Sequence, residues 1–152
     1  MIISFAGHSA VPSKDAVQKA VREQLLDIIG HTDHIVCYLG GYGDFDELCA
    51  RVCKELKQTY TNIETVYVTP YISLSEQAKI KEMLKCGLYD ATIYPSIEGT
   101  PPRFAITQRN KWMMSCADVV IAYVNRDYGG AYKSLQYAKR SKKKIINICE
   151  RL

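Results

Sequence analysis

No apolar run in this chain approaches the roughly 20 residues that a bilayer-crossing helix needs, so no membrane partner is expected. No Cys-x-x-Cys pair occurs among the cysteines at 37, 49, 53, 86, 116 and 149, and no histidine lies near Cys49 and Cys53 in sequence to complete a zinc set. The expectation is no metal site and free thiols, mostly buried, in a reducing cytosol. Met1-Ile2-Ile3-Ser4-Phe5-Ala6-Gly7 has no basic start and is too short for a signal peptide, so it is read as a first strand of a cytoplasmic protein. A large excess of one charge is also missing. The net charge is +4, from 20 lysines and arginines against 16 acids. That mild balance does not single out nucleic acid, which is not expected as a partner. Low-complexity tracts, solenoid repeats and domain boundaries are absent, and 152 residues suffice to bury a core. One domain over 1–152 is expected.

What the chain does have is regular alternation. Strand patterns at 2–6, 34–39, 63–69, 90–94, 118–124 and 144–149 alternate with helix patterns. The first helix spans 14–29 with Val17, Ala20, Val21, Leu25 and Ile28 on one face, and Gly30 is its C-cap. Phe45, Leu48, Cys49, Val52, Cys53 and Leu56 mark the second, and Ser73 and Glu76 have capping-box spacing for a third that ends near Gly87. Residues 103–117 and a stretch from Gly129-Gly130 to about 142 give two more, and the proline-containing segment 95–102 is a loop. About six strands and five helices in βαβ order predict a three-layer, doubly wound, mostly parallel α/β sheet of Rossmann-like type.

Such sheets bind ligands beyond the carboxyl ends of their strands. The loops concerned are 7–13, 40–44, 70–74, 95–103 and 125–131, and two of them carry glycine pairs between strand and helix. Gly40, Gly41 and Gly43 precede Asp44, Asp46 and Glu47, which would repel phosphate but could accept from ribose hydroxyls or act in acid–base chemistry. Gly129, Gly130 and Ala131 are followed by no acid in their helix and are flanked by Arg126 and Lys133, which makes this the better phosphate cradle. Tyr42, Tyr71 and Tyr128 stand at strand mouths where a base could stack, and Arg103 and Arg109 could clamp a phosphate. Gly7, His8 and Ser9 follow the first strand and Asn125 the fifth, completing the candidate binding set. The basic run Lys139-Arg140-Ser141-Lys142-Lys143-Lys144 falls at a helix C-terminus, where cations complement the dipole.

Phe5-Ala6-Gly7-His8, the stretch Tyr38 to Asp46, and Arg109 to Val124 continuing through Gly129-Gly130-Ala131 together resemble the SLOG superfamily, with the small YpsA-like members nearest. The resemblance covers nearly the whole chain. It implies a Rossmann-like fold and a site for nucleotides or their derivatives, with Gly40, Gly41 and Gly43 as the first glycine motif and Gly129 and Gly130 as the second. Phosphoribohydrolases of that superfamily place a glutamate one turn into the following helix. Residues 131–137 here hold no carboxylate, and Ser9 stands where YpsA-like chains often carry arginine. The leading expectation is therefore a non-catalytic module that senses or sequesters a nucleotide-derived ligand such as ADP-ribose, a cyclic relative or NAD, with no required cofactor. The alternatives are an N-glycosidase or phosphoribohydrolase working through Asp44, Asp46 or Glu47, and a protein-interaction scaffold with a vestigial pocket. A homodimer is expected.

Overall fold

A computed structural model describes residues 1–152. The strands are β1 (Ile2–Gly7), β2 (Ile35–Leu39), β3 (Ile63–Val68), β4 (Ala91–Ile93), β5 (Val119–Tyr123) and β6 (Lys144–Asn147). The helices are α1 (Lys14–Ile29), α2 (Asp44–Lys57), α3 (Leu74–Lys85), α4 (Ala105–Cys116) and α5 (Gly130–Arg140). All strand pairs are parallel, in the order β4-β3-β2-β1-β5-β6.

Side chains alternate along each strand with period two, and here both sets are covered. Val119, Ile121 and Tyr123 of β5 join Ile3 and Phe5 of β1 in a core with Val17, Val21 and Leu25 of α1, Phe45 and Val52 of α2, and Ile80 of α3. Val120, Ala122 and Val124 join Ala6, Val66 and Val68 in a second core with Met113 and Met114 of α4 and Leu135 and Ala138 of α5. Helices α1–α3 thus cover one face and α4–α5 the other, which is why β5 is apolar throughout. The outermost strands are also the two shortest, with three residues in β4 and four in β6.

Several boundaries move for identifiable reasons. Gly30 ends α1 in right-handed conformation, φ −66°, and not as a left-handed cap. Ser73 accepts from the Glu76 N–H, but the Glu76 carboxylate turns inward to the Tyr67 hydroxyl, so the capping box is only half formed. Helix α4 starts at Ala105, because Pro102–Phe104 form a 3₁₀ turn instead. Helix α5 stops at Arg140, and Lys142 takes up φ 58°. Strand β6 ends at Asn147, whose side-chain oxygen accepts from the N–H groups of Val124 and Cys149 and turns the chain into a terminal 3₁₀ segment. Three of the six free cysteines are buried (37, 49 and 53), fewer than expected, while Cys86 is exposed and Cys116 and Cys149 are partly covered. No helix is long and apolar enough to cross a membrane.

The strand order fixes where a site can form. From β1 the chain winds outward to β2, β3 and β4, then returns to place β5 on the other side of β1. The helices leaving β1 and β5 lie on opposite faces and part there, opening a crevice above the carboxyl ends of these two strands.

Candidate functional site

A hollow of about 240 Å³ lies at that crevice. Its floor is Phe5, Ala6 and Gly7 of β1 with His8 and Ser9 beyond it, and its walls are Tyr42, Asp46, Ile106, Arg109, Asn110, Met114, Arg126, Gly130, Ala131 and Ser134. The strand-order switch therefore gathers the starts of α2, α4 and α5 around one opening.

The start of α5 faces this hollow with its donors free. Gly129 caps the helix at φ 92°, and no side chain accepts from the first turn. The N–H groups of Gly130, Ala131 and Tyr132 meet no main-chain acceptor, whereas Lys133 N–H already bonds the Gly129 carbonyl at 3.0 Å. Gly129 and Gly130 have open space where a Cβ would stand. Ser134, only 7% exposed, lines the same hollow. It also lines a small adjoining cleft with Thr107, Asn110, Lys111 and Lys133. Asn110 accepts from Arg109 Nε at 2.9 Å, which leaves its amide hydrogens available. Backbone donors, a hydroxyl, an amide and two ammonium groups thus converge at the start of α5, a setting for an anion, with Asp46 as the one acid lining the hollow.

The first glycine loop is built in the opposite way. Gly40 gives its carbonyl to Arg109 Nη1 at 3.0 Å. Gly41, at φ 64°, lies under the Tyr67 ring, which any Cβ would strike. Here protein side chains occupy the space that the glycines leave. The acids after this loop part company. Asp44 accepts from Val11 N–H at 3.0 Å and pairs with Lys14 at 3.6 Å, and Glu47 pairs with Arg51 on the surface. Neither lines the hollow. Asp46 does line it, accepting from Tyr42 N–H. Burial pushes the Asp46 carboxyl up to about 6, and the Tyr42 N–H and the Arg109 charge offset only part of that.

Arg109 is a brace more than a clamp. It is 2% exposed and donates through Nη1 to the carbonyls of Gly40 and Val68, tying β2 to β3. Burial lowers its pKa, opposed by the nearby Asp46. His8 is buried too. Its Nε2 faces the Asn125 N–H at 3.1 Å and its Nδ1 faces Arg126 Nη2 at 2.9 Å. Both neighbours are donors, and a neutral imidazole accepts at one nitrogen only. The two contacts therefore exclude each other as hydrogen bonds, and burial with the Arg126 charge lowers the His8 pKa.

The rim carries exposed rings. Tyr42 is 67% and Tyr128 62% exposed, with Tyr71 and Phe104 also projecting. Arg126 lies over the Tyr128 ring at 5.0 Å and Arg103 over Phe104 at 4.8 Å. Tyr71 and Arg103 stand outside the hollow itself, Lys133 is exposed beside it, and the Asn125 side chain is exposed. Sequence reasoning missed Ile106, Asn110, Met114, Ser134 and Phe104. Ser134 had a signal, a hydroxyl beside Leu135 and Ala138 on the inward stripe of α5.

No family model and no curated protein matches the chain. Among solved structures it is similar to DNA processing protein A from Helicobacter pylori, described for its single-stranded DNA binding mode, with TM-score 0.59 and 16% identity over 95% of this chain and 63% of that one. The chain thus spans about 63% of that neighbour's length. The likeness establishes a shared fold, the α/β parallel sheet. It also overturns two expectations. Nucleic acid, set aside on net charge, is what that neighbour is described as binding, and a free nucleotide derivative such as ADP-ribose or NAD no longer stands as the expected ligand.

Proposed function

We propose that the chain binds single-stranded DNA along the carboxyl edge of its sheet, as a cytoplasmic member of the SLOG superfamily. The observation that carries this is the combination at one rim of exposed rings, arginines lying over two of them, and a helix start with unused donors. Binding of single strands needs bases stacked on aromatic faces and a backbone tracked by positive charge. Tyr42 and Tyr128 flank the hollow and supply the stacking surfaces. A phosphate enters against the amides of residues 130–132 with the Ser134 hydroxyl beside them, and Arg126 leaves His8 to meet the adjoining phosphate. Asp46 lines the same hollow, and it sets a limit on how negative a group the mouth accepts. The shared fold with a single-stranded DNA-binding protein supports the same reading.

Fluorescence anisotropy with labelled oligothymidylate, and with a duplex of equal length, tests it. The single strand should bind more tightly, with affinity falling as salt rises. Tyr42→Ala and Tyr128→Ala should each weaken binding by about 1–3 kcal/mol, the usual worth of one stacked base. Equal binding of the duplex, or indifference to both substitutions, would refute the proposal.

A further inference from the structure

We infer that the seam between α4 and α5 continues the site as an electrostatic track for the phosphate backbone, reaching from the hollow to the opposite edge of the sheet. This rests on the single-stranded DNA reading above and extends it to a surface that no base would touch.

Both helices are without any aspartate or glutamate. Lys111 and Lys133 flank the cleft at the upper end of the seam. From Lys133 to Arg140 is seven residues of helix, about 10 Å, and Lys139, Arg140, Lys142, Lys143 and Lys144 gather at the lower end. Lys143 Nζ donates to the Ser115 carbonyl near the end of α4 at 2.9 Å, which fixes this group against the seam. None of these cations forms an ion pair; the side-chain pairs in the chain involve Lys14, Arg22, Arg51, Lys57, His31 and His34. Of the acids nearest in sequence, Asp118 accepts from the Ile2 N–H at 2.7 Å, and Asp127 and Glu150 stand outside the two helices, before α5 and after β6.

The helix dipole explains only part of this. It favours Lys139 and Arg140 in the last turn of α5. It does not favour Lys133, which sits near the positive end, and it has no bearing on Lys111 in mid-helix, while for Lys142–Lys144, just beyond the helix, it falls off. So many cations without an acid partner at the two ends of one seam repel each other, and a polyanion lying on them removes that repulsion. A single strand leaving the hollow past Lys133 meets them in succession.

The test uses the full chain and two labelled oligothymidylates, one of about 4 nucleotides to fill the hollow and one of about 15 to run past it, within the span of known single-strand sites. The triple variant Lys139→Gln, Arg140→Gln, Lys142→Gln changes exposed cations remote from the hollow. It should leave the short oligomer's Kd unchanged and weaken the long one about 5–10-fold. The salt slope should fall by about 2, at roughly 0.7 for each phosphate no longer neutralised. The charge-preserving variant Lys139→Arg, Lys142→Arg should keep the wild-type slope. If the long oligomer's affinity and slope do not change while Tyr42→Ala still weakens binding, the track is wrong and the hollow reading stands. If wild type binds neither oligomer, the hollow reading fails and the track falls with it.

Discussion

The main-chain N–H of Tyr42 donates to the Asp46 carboxylate across 3.1 Å, so the acid that faces the hollow also anchors the backbone of its most exposed ring. The proposed stacking ring and the acid that opposes an anion thereby share one turn.

Asp46 is ionised at neutral pH at a cost. Its folded pKa is raised to about 6 from 3.8, so the folded state holds more protons than the unfolded one between those values. Stability from this group is therefore greatest below about pH 4 and declines as pH rises through 6. Asp46→Asn keeps an oxygen for the Tyr42 N–H and removes the charge. It should raise stability at pH 7 by about 1–3 kcal/mol, abolish that decline, and tighten DNA binding at neutral pH. Thermal melts across pH 4–8 would show it, and a lower melting temperature at pH 7 would contradict it.

His8 works in the opposite direction. Its folded pKa is lowered, so the unfolded chain binds the extra proton, and stability present above 6.5 is lost as pH falls below that value. In the Asp46→Asn background, the melting temperature should fall as pH drops from 7 to 5. Nitrogen NMR of the His8 ring should show a neutral imidazole at pH 6.5. A charged ring there would mean the two donors around it are arranged otherwise.

The two glycine loops should answer substitution differently. Gly41→Ala meets both a left-handed φ and the Tyr67 ring and should cost more than about 2 kcal/mol. Gly130→Ala stands in open space within a helix and should stabilise by about 0.5–1 kcal/mol, yet its methyl group would crowd the amides and weaken DNA binding. Urea denaturation and anisotropy on the same samples separate the two effects.

Arg109→Ala should destabilise by about 3 kcal/mol or more, since it leaves the Gly40 and Val68 carbonyls buried without a donor. A much smaller loss would mean water takes the guanidinium's place.

Alternation of apolar strands and amphipathic helices was readable from the residues, because both faces of β5 must be covered and Val119–Tyr123 shows it. The open cradle at Gly129-Gly130 was readable as well, since an acid-free helix start is a local property. The closed state of the first glycine loop was not. It depends on Arg109, 69 residues from Gly40, and on Tyr67 from another strand. Likewise, Ser9 and Gly43 meet only after α1 and β2 have been laid down, and local patterns carry no trace of such contacts. Nucleic acid was set aside on net charge, and the fold shared with a single-stranded DNA-binding protein is something that no count of charges along the chain carries.

The brevity of the flanking strands has a consequence of its own. An unpaired row of peptide groups recruits other chains when it is long and flat. With a strand of three residues at one margin and of four at the other, each margin offers too few ladder bonds to hold a stray strand. Concentrated solutions of this protein should resist fibre formation even when they are gently agitated for days.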